Sequence, residues 1–251
     1  MGELLSVVMC SRDDARFAVA EAAYAAALAW ADYEIIRIAD ARSMSEGYNR
    51  GYLRARGDRI LFSHDDVEFL SPDLAPKLAA HYEKFDVFGV LGTAKLIGPA
   101  WHFAGPPVNY GQFAMFNQHG LRVLIWSAPA RSVGGIQAVD GMFIATTRAA
   151  VERLDGWDES YPGFHCYDID FSLRAHLAGL RVGVACDLDI LHRSDSRFDT
   201  PEWQAAATVF MQHHRALLPA KMPMMRWTNQ LIHPDDRAHA VRLMHPPHFD
   251  T

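Results

Sequence analysis

The chain has 251 residues, half of them hydrophobic and 22% charged, a globular composition with room for one large core. Thirty acidic against 24 basic side chains leave a net charge of −6 with no basic run, which argues against a nucleic-acid-binding surface. Cys10, Cys166 and Cys186 are scattered and odd in number, so they read as buried thiols in a reducing compartment rather than a disulfide framework or a metal-type pair.

The first residues lack a basic region and a long apolar core, so no signal peptide is expected. No stretch approaches the roughly 20 apolar residues of a spanning helix. A cytoplasmic chain is therefore expected, with peripheral contact at a membrane left open. Leu4 to Met9 reads as a first strand feeding a polar loop over residues 10–14. Ala15 to Trp30 is Ala-rich without Gly or Pro and predicts a helix. Glu34 to Ile38 is a second strand. Ser43 to Arg56 is a second helix, with Ser43 and Glu46 in capping-box spacing. Ile60, Leu61 and Phe62 form a third apolar run that leads directly into His64, Asp65 and Asp66. Such alternation predicts an α/β fold with a mostly parallel sheet and right-handed crossovers.

Acidic groups just past a buried strand stand where open α/β sheets bind ligands. Two adjacent carboxylates beside an imidazole fit a divalent metal carrying a phosphorylated substrate. They fit equally a solvated polar turn before the helix start at Ser71, Pro72 and Asp73. Leu74 to Phe85 is a third helix and Val87 to Leu91 a further strand. Residues 98–117 are rich in Gly, Pro and aromatic side chains and predict loops and antiparallel strands over one side of the sheet. Trp101, His102, Phe103, Tyr110 and Phe113 either stack on a ligand or pack over the sheet.

Leu121 to Ser127 and Val139 to Ala145 are strand-like, and Arg148 to Leu154 is helical. Asp168 to Leu177 is a helix with Gly179 just past its end. Asp168 and Asp170 diverge by about 200° around it, so only one can face a given site. Asp168, at the loop junction, is the better cleft residue, while Asp170 and Arg174 form an i, i+4 ion pair. Short strands at Arg181 to Ala185 and Asp189 to Leu191 follow, the latter delivering His192 to a polar loop. Pro201 to Leu218 predicts one more helix, and the tail carries Met222, Met224, Met225 and Trp227. The expected division is a main domain over 1–200 with a helical appendage over 201–251 packed on it. There is no G-x-G-x-x-G after the first strand and no P-loop, which argues against dehydrogenases and P-loop enzymes.

Taken in order, these segments resemble the GT-A glycosyltransferases, in particular the family 2-like nucleotide-sugar transferases, over about residues 4–195. The resemblance is carried by Ser11 to Asp13, by the Ser45 to Asp58 helix and turn with Asn49, and by His64-Asp65-Asp66 in the place of an Asp-x-Asp motif. It continues through Asp140-Gly141, the Gly156-Trp157-Asp158-Glu159 turn, Tyr167 to Gly179, and Ile190 to Ser194. It implies a GT-A fold and inverting, metal-dependent transfer of a sugar from a nucleotide-diphosphate sugar to a saccharide, lipid-linked or protein acceptor.

By the same resemblance Asp66 and His192 would hold Mn²⁺ or Mg²⁺, and Asp168 would be the general base. Ser11, Arg12, Asp13, Asn49, Asp65, Asp140 and Gly141 would line the nucleotide-sugar cleft. Two positions depart from the family pattern: His64 replaces the first Asp of the metal motif, and Tyr167 replaces the acid that often precedes the base. The first departure motivates an alternative, a catalytically silent module that binds nucleotide sugar or a partner. No nucleic acid partner is expected, and a homodimer is left open.

Overall fold

The structure, a computed structural model, describes residues 4–29, 31–117, 120–193, 200–219, 230–232 and 236–244. Met222, Met224, Met225, Trp227 and Ser194 lie outside these. Strand β1 (Leu5–Cys10) is followed by α1 (Asp14–Ala27), β2 (Tyr33–Ile38), α2 (Met44–Arg54) and β3 (Arg59–Ser63). The caps are local chemistry. Asp13 accepts from the backbone N–H groups of Ala15 and Arg16 at the start of α1. Ser43 accepts from that of Glu46 at the start of α2, and Glu46 reaches back to Arg42 N. β1 pairs in parallel with β2 and β3, with Val7 opposite Ile35 and Leu61.

Next come β4 (Val67–Phe69), α3 (Leu74–Tyr82), β5 (Val87–Gly89) and β6 (Leu91–Thr93), a turn at Trp101–Ala104, β7 (Asn109–Asn117) and β8 (Gly120–Ser127). The chain continues through β9 (Ser132–Gly134), β10 (Ala138–Val139), β11 (Phe143–Thr147), α4 (Arg148–Arg153), α5 (Tyr167–Leu177), β12 (Val182–Ala185) and β13 (Ile190–His192). It ends with α6 (Pro201–His214), β14 (Gln230–Ile232) and α7 (Arg237–Met244). The first sheet has the order β2-β1-β3-β11-β5-β12-β9. Only β11 and β9 run against the other five strands, so the sheet is mostly parallel. The second sheet, β10-β6-β7-β13-β4 with β8 beside β7 and β14 beside β8, is largely antiparallel.

Alternation along the central strands divides the interior into two layers. Leu5, Val7 and Met9 of β1 join Leu61, Phe143, Tyr24 of α1 and Leu78 of α3 on one face. Val8, Ile60, Phe62 and Ile144 face the other way, onto Met44 and Tyr48 of α2, Val151 of α4 and Phe171 of α5. At Gly51 a Cβ would overlap Val8, so α2 lies this close to β1 only because that position has no side chain. α5 is buried on two sides: Phe171 faces the sheet layer, while Ile169 and Leu173 share a cluster with Ala206, Ala207 and Phe210 of α6.

Two segments expected as single strands are each split. Val87 to Leu91 passes from the first sheet to the second at Val90, and Val139 to Ala145 passes from the second to the first across a bend at Asp140–Met142. The tail supplies more than helices. β14 pairs with β8, and Ala240 and Met244 of α7 pack on Leu121, Val123 and Leu191. No helix among the described residues is long and apolar enough to cross a membrane.

Candidate active site

The parallel strands β1 and β3 end side by side, and their loops carry Ser11 and the His64–Asp66 triplet. The register of the second sheet then brings in a distant residue. β13 runs antiparallel to β4 with His192 opposite Val67, which places His192 beside Asp66. Arg193 N donates to Asp66 O at 2.9 Å, and His64 N donates to Met142 O at 3.0 Å. The triplet is thus clamped between β13 and the Asp140–Met142 bend.

The two adjacent carboxylates point different ways. Asp65 accepts from Ser11 Oγ at 2.7 Å. Asp66 Oδ1 lies 3.0 Å from His192 Nε2 and 4.0 Å from His64 Nδ1. The ligand atoms of His64, Asp66 and His192 all lie within 4.8 Å of one another. Asp66 Oδ1 and His192 Nε2 are both buried, and their mutual orientation leaves each without a well-formed hydrogen bond. A buried ion pair that meets at 3.0 Å without good hydrogen-bond geometry forgoes part of the worth of such a bond, about 1 kcal/mol. A divalent cation accepting both lone pairs would remove that cost, and a mixed oxygen and imidazole set suits Mn²⁺ as well as Mg²⁺. The residues present therefore fit a metal.

Electrostatics divide the three groups. Burial alone would raise the Asp66 pKa, but His192 and His64 outweigh it and hold the carboxyl below its usual range. Burial pulls His192 down, and the Asp66 carboxylate more than reverses this. For His64, burial prevails, seconded by His192 and opposed by Asp66, and the imidazole is held below its ordinary value.

Beside this cluster lies a cavity of about 410 Å³, within the usual range for small-ligand sites. His64 and His192 form part of its wall, and Asp140, Gly141, Tyr167 and Asp168 another. Asp168 accepts from Gly141 N at 2.8 Å. Burial, and then the neighbouring Asp140 carboxylate, push its pKa up to about 7. That is the range in which a carboxylate can take up a proton near neutral pH. Tyr167, kept protonated by burial, bridges the two parts of the wall. Its hydroxyl lies 2.7 Å from His64 Nε2 and 3.3 Å from Gly141 O.

Gly141 makes this closeness possible. A Cβ there would overlap the Tyr167 hydroxyl and come within 3.1 Å of Asp168 Cβ. Gly141→Ala is expected to cost about 1–3 kcal/mol of stability through overpacking. By displacing Tyr167 and Asp168 it should also lower turnover by about 100-fold. Steady-state kinetics and thermal melts of the variant check both.

Other anticipated residues are placed unevenly. Arg12 donates to Ala41 O and lies over the ring of Phe164, a cavity residue, so it braces the wall from behind. Asp13 is spent on capping α1. Asn49 is not brought to the cavity. Its amide donates to Trp157 O and Glu159 and accepts from Trp157 N, pinning the 156–159 turn to α2. Trp157 then stacks on Phe171 and packs against Tyr48 and Tyr167. Of the aromatic segment, Trp101 lines the cavity, while Phe113 is buried in β7.

The expected Asp170–Arg174 pair forms, with its carboxylate in the interior. Asp170 is 1% exposed and meets Arg174 Nε at 2.7 Å, His214 Nε2 at 2.8 Å and the Tyr161 hydroxyl at 3.1 Å. With His213 it forms a second cluster of metal-type side chains, but its oxygens are already satisfied, so it acts as an anchor for α6. Trp203, Thr200 and Glu202 at the head of α6 line the cavity, and periodicity gave no sign that they would. For Tyr167 the signal was its position directly before Asp168.

A family model described as a glycosyltransferase like family matches residues 6–214, which includes α6. No curated protein matches the chain in sequence. Among solved structures, the chain is similar to the catalytic domain of Drosophila β1,4-galactosyltransferase 7 in complex with xylobiose. They share 15% identity over 81% of this chain and 79% of that one, with a TM-score of 0.50. It is also similar to GalNAc-T7 with UDP, GalNAc and Mn²⁺, at 9% identity and a TM-score of 0.56. That match covers 85% of this chain and 49% of the longer one. At such identities the likeness is one of fold, the α/β arrangement of the GT-A glycosyltransferases.

Proposed function

Because this chain belongs to the glycosyltransferase like family, we propose that it moves a sugar from a nucleotide-diphosphate sugar to an acceptor hydroxyl, with inversion and with the help of Mn²⁺ or Mg²⁺. One observation carries this reading: a single cavity is lined both by histidines of the metal-type cluster and by Asp168, a carboxylate with a raised pKa. GalNAc-T7, of similar fold, holds UDP, GalNAc and Mn²⁺, and these name the class of donor and metal proposed here.

Asp66 and His192 would hold the metal, which when bound supplies positive charge to the diphosphate leaving group. Asp168 takes the proton from the acceptor hydroxyl as that oxygen bonds to the anomeric carbon. The bond from that carbon to the diphosphate oxygen breaks in the same displacement, which is why the configuration inverts. The Gly141 N–H holds the Asp168 carboxylate in place, and burial keeps it basic enough to accept the proton. Asp140 lines the same wall. Ser11 and Asp65, hydrogen-bonded to each other at the ends of β1 and β3, would meet the nucleotide, and Arg12 would hold that loop to the wall.

Thermal-shift measurements over a panel of nucleotide sugars test the donor and metal together. A nucleotide-diphosphate sugar at 100 times its Kd adds about 2.7 kcal/mol to stability. This shift should appear with Mn²⁺ and vanish with a chelator. A shift with no transfer to any acceptor would identify the silent binding module instead. No shift with any donor would refute the nucleotide-sugar reading.

A further inference from the structure

His64 and Tyr167, the two positions that the resemblance marks as departures, are 103 residues apart in sequence and 2.7 Å apart in space. We propose that they compensate each other: Tyr167 is a positioning residue that fixes the tautomer of His64, so that His64 Nδ1 becomes a third ligand to the metal beside Asp66 and His192. The proposal rests on the metal reading above.

The argument is an accounting of protons. The Tyr167 hydroxyl has one hydrogen; the Tyr48 hydroxyl is a neighbour with no formed hydrogen bond, and the two partners within bonding distance are Gly141 O at 3.3 Å and His64 Nε2 at 2.7 Å. Gly141 O can only accept. If Tyr167 donates to it, the hydroxyl oxygen is left to accept from His64, which then carries its hydrogen on Nε2. All three groups are satisfied in this way. The other ring nitrogen, Nδ1, is then a bare lone pair, and it faces Asp66 Oδ1 at 4.0 Å. The opposite assignment spends the hydroxyl hydrogen on His64 and leaves Gly141 O without it.

Both partners are held firmly. The backbone of His64 is tied to Met142 O, and the ring of Tyr167 is packed between Tyr48 and Trp157, each 5.7 Å away between ring centroids. A carboxylate at position 167 would accept from His64 equally well. A phenol adds a link to Gly141, whose N–H in turn holds Asp168. One residue thereby sets the geometry of a metal ligand and lies one hydrogen bond from the strand bend that holds the base.

The test uses the full chain with histidines labelled in ¹⁵N. In metal-free protein, long-range ¹H–¹⁵N correlations should show His64 with its hydrogen on Nε2, and Tyr167→Phe should abolish that single tautomer. Titration with Mn²⁺ alone should show binding weakened about 10–100-fold in Tyr167→Phe, the usual loss when a partner of a metal ligand is removed. His64→Ala should lose at least as much, and the double variant no more than His64→Ala, because Tyr167 acts only through His64. A wild-type His64 protonated on Nδ1, an unchanged Mn²⁺ affinity in His64→Ala, or additive losses in the double variant would each overturn the proposal while leaving Asp66 and His192 as ligands. Wild-type protein that takes up no Mn²⁺ would overturn the metal reading itself, and this proposal with it.

Discussion

Asp168→Asn is expected to lower the transfer rate by about 10²–10⁴-fold, the usual contribution of a general base, while making the fold more stable above pH 7. Both effects have one cause. Burial and Asp140 push the Asp168 pKa up from the ordinary carboxylate value to about 7. Between roughly pH 4 and 7 the folded protein therefore holds a proton that the unfolded chain has released, and stability falls as pH rises through that window. Above pH 7 the whole cost of a buried carboxylate beside Asp140 is present, and each unit of raised pKa is worth about 1.4 kcal/mol. Asparagine keeps an oxygen for Gly141 N but carries no charge. The variant should gain about 1–4 kcal/mol over the wild type above pH 7 and little below pH 4. In the active protein the same titration predicts that kcat/KM rises with pH up to about 7 and then levels. Denaturant melts from pH 4 to 8, together with transfer assays, check both limbs. An Asp168→Asn variant that still turns over at the wild-type rate would remove Asp168 as the base.

Asp170→Ala is expected to be the most destabilising change near the site, although Asp170 touches no cavity wall. The carboxylate is 1% exposed, pairs with Arg174 and lies 2.8 Å from His214 Nε2. Removing the carboxylate costs about 3–5 kcal/mol, because the partly buried Arg174 loses its counter-charge and His214 and Tyr161 lose a buried hydrogen-bond partner. For a chain of this size that is roughly 6–20 °C in Tm. Burial tends to raise the Asp170 pKa, but His214 and Arg174 outweigh it and hold the value below the usual range. Its stabilisation is therefore complete above the unfolded carboxyl value and fades as pH falls below it, so the variant should show a flatter acid limb.

The neighbouring pair His213–Asp158, 3.4 Å apart and partly exposed on both sides, is the control. Asp158→Ala should cost less than about 1 kcal/mol. Because α6 brings Trp203, Thr200 and Glu202 to the cavity, Asp170→Ala should also weaken acceptor binding. Equal melting of the Asp170 and Asp158 variants would show that α6 is held by its apolar face alone.

The elements of the first sheet were largely legible from the chain. β1, β2, β3, α1 and α2 announce themselves through apolar runs, through the Ser43 cap and through the absence of Gly and Pro, all of which act within a few residues. The resemblance placed Asp66, His192 and Asp168 in one site, and the structure brings all three to one cavity or its edge. Asn49 and Asp13 were assigned to the same cleft because they stand in motif positions. Their hydrogen bonds are spent on the 156–159 turn and on the first helix cap. Motif position says that a residue is needed, and only its neighbours say for what.

By itself, then, the sequence determined the alternation of strand and helix, the acidic loop after β3, and the family whose residues those are. Local sterics, capping and side-chain periodicity decide such features, and they are written in adjacent residues. Only the tertiary structure decided that β11 enters antiparallel between β3 and β5, that Asp65 turns to Ser11 while Asp66 turns to His192, and that Asp170 is buried. It alone brought Tyr167 onto His64. Each of these depends on strand register and burial between segments far apart in the chain, where the free energy of a hydrogen bond or a charge is set by what lies across from it.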